Sequence, residues 1–287
     1  MPKFEFLDTK KFANRKNVIL GALIAIIVAL ALAFAGSGNA GWWVKAPVVA
    51  AGIDNSSALI TLENDQNVKS SLVVVRSNLA KEVERLYMLP SYFDALAVNA
   101  SNALVAKRGI ARAQCLNTGT GVIKEAIELP TDLHFAGASA VSDNEFLIWG
   151  RGSDGRTMIF NTNCSRTTLV AKVTETLRFI CPAGNQAVAI DWNGNVFRAN
   201  KFFEFAITNQ KYRHLDFLAC GEKVIVGHSK NASGDFLTII GPRSAVTRPL
   251  ANAKGMFALI SEPRSSKLFG LKHGKMTTSV SLFSIAK

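Results

Sequence analysis

The sequence predicts an all-β protein, a β-propeller of about six four-stranded antiparallel blades preceded by one N-terminal transmembrane helix. Three observations predict it: an uncharged apolar segment near the N-terminus, a strand-and-turn pattern that recurs at a regular spacing, and few helix signals after that segment. We therefore divide the 287 residues into a cytoplasmic basic tail (1–17), a transmembrane signal anchor (18–36), a linker (37–50) and an exported β-propeller domain (51–287).

The anchor begins at Val18 and ends at Gly36, and it contains no charged residue. Its length suffices to cross a hydrocarbon core as a helix. Lysine and arginine residues precede it, so the positive-inside rule keeps the N-terminus in the cytoplasm and exports the rest of the chain. Trp42 and Trp43 lie where an interfacial aromatic belt is expected.

Two alternatives to an uncleaved anchor stay open. A cleaved secretory signal is favoured by the small residues Ala33 and Ala35 around Phe34, but the apolar run is longer than in most such signals. A buried core helix is disfavoured by the uniform apolarity. We expect a single-pass protein of the bacterial inner membrane, with the C-terminal domain in the periplasm.

The repeat consists of polar turns followed by short apolar strands. One apolar residue after each opening turn marks the first strand of each predicted blade: Leu59, Leu104, Leu147, Val188, Ile225 and Leu268. These residues recur about every 42 positions with about four short strands per unit, which is typical of propeller blades. A two-sheet sandwich is the alternative, but its strands need not recur at a fixed spacing.

Residues 78–89 carry the best helix signal after the anchor, with Asn78 as a possible N-cap. The repeat instead places this segment as the outer strand of the first blade. The organisation resembles that of propeller proteins, including membrane-tethered periplasmic propellers, over most of the exported chain. The resemblance is one of shape, because the Gly-His and Trp-Asp pairs of WD repeats are missing.

The four cysteines all follow the anchor, and an even count in an oxidising compartment permits two disulfides. Equivalent inner positions of neighbouring blades approach closely near the axis, so we predict a bond between Cys181 and Cys220. Cys115 and Cys164 lie on predicted second strands, where blades diverge, so the argument for their pairing is less direct. Sequence alone leaves three pairings open, and buried free thiols are the alternative.

The segment from Ser153 to Thr157 resembles the Asp-box turn of sialidase propellers. It departs from that motif because Asp154 and Gly155 are adjacent, and because Met158 replaces the closing tryptophan. Asp-Gly between two apolar strands is a hairpin signal in its own right, so we predict a turn.

A second segment raises a metal question, because Asp191, Asn193 and Asn195 alternate as in calcium loops. The glutamate that would close such a loop is missing at the required position. Asn193-Gly194 predicts a two-residue hairpin turn instead. Paired carboxylates for glycoside hydrolysis are also lacking, since most of the carboxylates fall in predicted turns. We therefore predict no enzyme activity, no cofactor and no metal.

The formal net charge of +12 suggests anionic neighbours, although solubility alone would also account for it. A single anchor, a rigid repeat domain and no catalytic set favour a non-enzymatic scaffold. We expect it to dock other envelope proteins as part of a larger complex, such as secretion, conjugation or pilus machinery. The alternative is a receptor whose basic propeller face binds an anionic ligand such as cell-wall glycan, lipid or DNA.

Overall fold

The computed structural model divides the chain into two compact units, Met1–Lys45 and Ala46–Lys287. The structure describes residues 48–65, 69–77, 82–183, 186–199, 204–212, 215–220, 225–241, 245–251, 253–262, 267–273 and 280–285. The predicted tail, the anchor from Val18 to Gly36, and Trp42 and Trp43 lie outside these residues. Within the described ranges there is no helix, and hence no membrane-spanning one.

The described residues form antiparallel strands joined by turns. In chain order they are β1 (Val48–Ile53), β2 (Leu59–Asp65), β3 (Ser70–Ser77), β4 (Glu82–Leu89), β5 (Ala95–Val98), β6 (Asn102–Lys107), β7 (Arg112–Asn117), β8 (Ile123–Ile127), β9 (His134–Ala140), β10 (Phe146–Arg151), β11 (Thr157–Thr162), β12 (Thr167–Val173), β13 (Leu177–Ala183), β14 (Gln186–Asp191), β15 (Asn195–Ala199), β16 (Phe205–Lys211), β17 (Leu215–Cys220), β18 (Ile225–Asn231), β19 (Gly234–Ile240), β20 (Ala245–Pro249), β21 (Met256–Ser261), β22 (Leu268–His273) and β23 (Val280–Ile285).

Consecutive strands pair into separate meandering sheets. The strands β1 to β20 make five four-stranded sheets, and β21 to β23 make a three-stranded sheet. The first strand of each sheet contacts the first strand of the next, and β21 contacts β1, so the sheets surround a common axis. This arrangement confirms the all-β propeller with four-stranded antiparallel blades and excludes the two-sheet sandwich. Five such blades are present among the described residues, not the predicted six, because the last sheet has three strands there.

The hydrophobic core lies between neighbouring sheets. Each gap between sheets holds its own cluster of buried side chains, including the gap between the last sheet and the first, where Ile260 and Leu271 pack near Leu59. Trp149 of the third sheet packs in this way against Leu177 and Ile180 of the fourth. Packing between sheets therefore holds the ring of sheets together.

The repeated apolar residues lie one strand later in each blade than predicted. Leu59 is on β2, Leu104 on β6, and the other members also lie on the second strands of their sheets, where they are buried. Second strands are covered on both faces and therefore carry continuous apolar runs. The innermost strands line the crowded axis with alanine and glycine, as in the Val-Val-Ala-Ala-Gly-Ile run of β1, which gives a weak pattern.

The structure differs from the sequence predictions at the start of the domain and decides between the two alternatives for residues 78–89. The first strand begins at Val48, inside the segment assigned to the linker, so the predicted domain start at residue 51 is three residues late. The segment with a helical signal forms the outer strand β4, which the repeat predicted and the helix alternative did not.

Candidate functional site

The ring of sheets has two ends, which we name by the direction of the innermost strands. The entry face is the end where innermost strands begin, together with the turns that follow second strands; the exit face is the opposite end. On the entry face a cavity of about 710 Å³ opens among the innermost strands. We call it the entry cavity, and its lining includes Arg108, Trp149, Arg178, Trp192 and Asp216 together with four phenylalanines.

A second cavity of about 680 Å³, the side cavity, lies between the fourth and fifth sheets and the turn before β21. It shares Arg178, Trp192, Asp216 and Phe217 with the entry cavity, and adds His228, Lys230, Asp235 and Lys254. A cavity of about 340 Å³ at the exit face is smaller. The two entry-face cavities share four residues and therefore form one continuous concave surface.

Trp192 is presented by the tight turn between β14 and β15. Asp191 accepts hydrogen bonds from the backbone nitrogen of Asn195 at 2.8 Å and from its side-chain nitrogen at 2.7 Å. Gly194 takes a positive φ of 82°, which favours glycine. The turn leaves Trp192 64% exposed at the cavity edge.

The segment that alternates like a calcium loop forms this same turn. The turn spans three residues rather than the predicted two, since β14 ends at Asp191 and β15 begins at Asn195. The backbone nitrogen of Gly194 donates to the carbonyl of Asp191 within it. Both carboxylate oxygens of Asp191 accept hydrogen bonds from Asn195, which gives these two residues a role in the turn itself. Within the part of the chain that the structure describes, no three His, Cys, Asp or Glu side chains are grouped to hold a metal ion.

Arg178 joins the two sheets that border the site. Its guanidinium lies over the Trp192 ring, 5.4 Å from the ring centre, and donates to the backbone oxygen of Asp216 at 3.4 Å. Burial lowers the pKa of Arg178; the charge of Asp216 opposes this shift, and that of Arg108 adds to it. The guanidinium nevertheless stays protonated, as arginine does in proteins. The site therefore holds a fixed cation beside an exposed indole.

His228 is the buried polar group of the side cavity. Its Nε2 lies 2.9 Å from Oδ1 of Asp235, and its Nδ1 lies 3.6 Å from Oδ2 of Asp216. The imidazole stacks on Phe217 with ring centres 5.5 Å apart. The side chain is 5% exposed, and its Nδ1 has no hydrogen-bond partner among the described residues. One ring nitrogen is thus paired and the other faces a carboxylate beyond hydrogen-bond distance.

Charged residues of both signs lie at each face. The entry face carries cations at Lys107, Arg108, Arg112, Arg151, Arg156, Lys172, Arg178, Lys230 and Lys254, and carboxylates at Asp94, Asp132, Asp154, Glu175, Asp191, Asp216 and Asp235. Some are paired, as in the bond of 3.0 Å from Lys172 to Asp154. The exit face carries Asp143, Glu145 and Glu262 together with Arg166 and Lys267.

The predicted disulfides are present. Cys181 on β13 pairs with Cys220 on β17, with Cα atoms 5.2 Å apart, so this bond joins innermost strands of neighbouring blades. Cys115 on β7 pairs with Cys164 after β11, with Cα atoms 5.8 Å apart. These two residues belong to third strands and their turns, not to second strands as predicted. Both bonds link one blade to the next.

The Asp-box segment is a turn between β10 and β11, as its Asp-Gly pair predicts. Gly155 has a φ of 80° and donates to the carbonyl of Gly152. Asp154 accepts from the backbone of Arg156 and from Lys172, so its carboxylate serves the turn.

The entry-face site is not apparent from the sequence. Arg178, Trp192 and Asp216 come from three separate segments, and only the closed ring brings them together. One local signal was present: a tryptophan inside a polar turn between Asp191 and Gly194 has no core to enter. An exposed aromatic in a turn favours binding over packing.

Fold and site together define a β-propeller protein with an aromatic and basic cavity at one end. No protein-family model and no curated protein matches this chain. Among solved structures it is similar to PorZ, an essential surface component of the type-IX secretion system of Porphyromonas gingivalis, with a TM-score of 0.54 and 11% identity over 83% of this chain and 31% of PorZ. It thus spans less than a third of PorZ.

The chain is also similar to the β-propeller domain of Cps50 (Swd1) from Myceliophteria thermophila. That likeness has a TM-score of 0.55 and 9% identity, and it covers 84% of this chain and 96% of the domain. At such identities both comparisons establish the fold alone.

Proposed function

We propose that this chain is a non-enzymatic, membrane-anchored docking subunit of a multiprotein cell-envelope complex, such as secretion, conjugation or pilus machinery. The observation that carries the proposal is the outer edge of the blades. The outer strand of every four-stranded blade exposes at least one large apolar side chain. We call these residues the rim: Val83, Met88, Ile123, Leu169, Val170, Ile207 and Val246.

A rim of this kind suits protein partners. Each outer strand pairs with only one neighbour within its sheet, so its other edge offers backbone donors and acceptors. Exposed apolar residues on a free strand edge promote aggregation unless something covers them. A partner protein can pair with the free strand edge and cover the exposed apolar side chains. A soluble anion can do neither. The rim therefore supports docking to proteins.

The proposal includes the cellular setting. Residues 18–36 would cross the inner membrane with the N-terminus in the cytoplasm, and the propeller would lie in the periplasm. The two disulfides support an oxidising compartment. We also propose that the three-stranded last sheet is the sixth blade of a closed propeller. A reporter enzyme fused after Lys287 would be active outside the cytoplasm if this topology is right, and active only inside if it is wrong.

PorZ offers a precedent for the role, because a secretion-system component contains a propeller of comparable shape. The precedent is an analogy of fold, and it leaves the identity of the envelope machine open.

Charge reversal on the rim tests the docking proposal. The full chain would be isolated from membranes under mild detergent with its bound proteins, as wild type and as the variants Ile207→Lys and Val246→Lys. We expect both variants to lose partners that the wild type retains, because a lysine ammonium cannot be buried in an apolar interface. Ser165→Lys adds the same charge in an exposed turn at the exit face and should retain them. Full retention by both variants would exclude docking through β16 and β20, and full retention by the matching variants Val83→Lys, Ile123→Lys and Leu169→Lys as well would refute the proposal.

A second candidate function rests on the entry face. Its cavities combine the exposed Trp192 with Arg178 and neighbouring cations, which favours a receptor for an anionic ligand. Salt separates the two candidates. Binding dominated by exposed charge weakens steeply as ionic strength rises, whereas an interface with an apolar core largely persists.

A further inference from the structure

We propose that the entry-face site, formed by the entry and side cavities, binds an acidic sugar: a pyranose ring that carries a carboxylate. This inference rests on the second candidate function and names its ligand class. Three features of the site carry it, namely an exposed indole, a fixed cation and a pair of carboxylates, and each fits a different part of such a sugar.

The indole of Trp192 supplies the platform. One side of the ring is taken by the Arg178 guanidinium, and 64% of the residue remains exposed. The turn that holds it is fixed by the two hydrogen bonds of Asp191, so the ring does not have to be ordered when a ligand binds. A flat apolar surface with a polar edge fits the C–H face of a pyranose, whose hydroxyl groups point outward.

Arg178 supplies the partner for the sugar carboxylate. Its guanidinium is held by Trp192 and by the backbone oxygen of Asp216, and it retains donors for a ligand. A planar guanidinium matches the geometry of a carboxylate and binds it through two parallel hydrogen bonds. Arg108 lies on the same cavity wall and adds positive charge.

Asp216 and Asp235 give the site mixed charge. Both line the side cavity beside Arg178, Lys230 and Lys254, and their charge favours a ligand with a single acid group over the closely spaced charges of a polyphosphate or nucleic acid. They suit hydroxyl groups, which donate hydrogen bonds to carboxylates. A ligand with one acid group and several hydroxyls satisfies the cation and the carboxylates together.

The two cavities also offer enough room for a sugar. The cavity volumes, about 680 and 710 Å³, lie within the range of ligand pockets.

Isothermal titration calorimetry tests the proposal. Defined sugars would be titrated into the purified full chain in detergent. The carboxylated probes are N-acetylmuramic acid and trigalacturonate, which distinguish a peptidoglycan source from a uronic polysaccharide. A neutral galactose trisaccharide and a linear polyphosphate are the comparison probes. We expect at least one carboxylated probe to bind, the neutral trisaccharide to bind at least tenfold more weakly, and polyphosphate to bind more weakly than the sugar.

Variants separate the site from general surface charge. Trp192→Ala and Arg178→Gln should each weaken sugar binding at least tenfold. Arg156→Gln removes an exposed entry-face arginine that lines neither cavity, and should change binding less than twofold. Circular dichroism of each variant confirms that it folds.

Three outcomes would overturn the proposal. Equal binding of neutral and carboxylated sugars would exclude carboxylate recognition. Polyphosphate binding that Arg156→Gln weakens as much as Arg178→Gln would point to diffuse charge, so the acidic sugar would fail while an anion receptor survived. If no anion binds, both the acidic-sugar proposal and the anion-receptor function fail. The rim experiment would still test docking separately.

Discussion

The guanidinium of Arg178 lies 5.4 Å from the centre of the Trp192 ring and also reaches the backbone of Asp216 on the next sheet. Arg178 is on β13, Trp192 follows β14, and Asp216 is on β17. One side chain therefore connects the exposed indole to two blades. This contact positions the only aromatic platform that the described residues present at the entry face with most of its surface in solvent.

We predict that Arg178→Met increases the exposure of Trp192. The variant keeps much of the side-chain length but lacks the cation that lies over the ring. Acrylamide quenching of fluorescence, in a background with Trp42→Phe and Trp43→Phe, reports on Trp192 because Trp149 is buried. The quenching constant should rise in Arg178→Met and stay unchanged in the control Arg156→Gln. Equal quenching in all three proteins would contradict the contact.

A buried ion pair in the first blade gives a stability prediction. Arg76 and Glu63 lie 2.5 Å apart with side chains 7% and 1% exposed, and Arg76 also donates to Thr61. Glu63→Gln leaves a buried cation without its counterion, so unfolding in denaturant should require about 3–5 kcal/mol less. Asp154→Asn breaks the exposed pair with Lys172 and should barely move the midpoint. Similar midpoints for both variants would argue against burial of the pair.

The two disulfides should each contribute to stability by restricting the unfolded chain. They close segments with sequence separations of 49 and 39 residues. A chain-entropy estimate for loops of this size gives roughly 4 kcal/mol each, and measured values fall at about 2–4 kcal/mol. Removing either pair by double alanine substitution should lower the denaturation midpoint accordingly.

Reductant provides the control for the disulfide prediction. Dithiothreitol should lower the denaturation midpoint of the wild type. It should not change the midpoint of a variant in which all four cysteines are replaced by alanine. A wild-type midpoint that does not respond to full reduction would show that the bonds do not restrict the unfolded chain as argued.

Asp132 gives a pH prediction. The hydroxyl of Ser153 donates to its carboxylate at 2.7 Å and the backbone nitrogen donates at 3.2 Å, and these bonds hold the pKa of Asp132 below 3.8. A lowered folded-state pKa stabilises the protein above the unfolded value, and this contribution is lost as pH falls through the folded value. Ser153→Ala should raise the pKa of Asp132 toward 3.8, measured by carboxyl carbon NMR. Ser165→Ala, at the opposite face, should not; a raised pKa in both variants would refute the local cause.

The sequence predicts the repeat well where burial is strongest. Leu104 and Leu147 stand in apolar runs on second strands, covered from both sides, and such runs are visible without structure. The innermost strands escape notice because many of their residues are small, as in β1, and at Gly137 the ring of Trp149 on the neighbouring strand leaves no room for a side chain. The predicted frame therefore began one strand late in every blade.

The entry-face site could not be predicted from the sequence, for a different reason. Its residues are ordinary in their local settings, and their chemistry arises only from proximity across blades. The distance between the guanidinium of Arg178 and the backbone of Asp216 depends on how β13 packs on β17, which no local pattern encodes. The bond between Cys181 and Cys220 was predictable because it crosses between equivalent innermost positions.

Hydrogen–deuterium exchange of the outer strands tests the central claim, docking through the rim, most directly. The full chain would be compared in two states, purified from membranes with its bound proteins and produced alone. Docking through the rim predicts that backbone amides of at least one outer strand, such as β16 or β20, exchange more slowly in the complex, while β14 and β18 stay unchanged. Identical exchange of all outer strands in both states would contradict the claim.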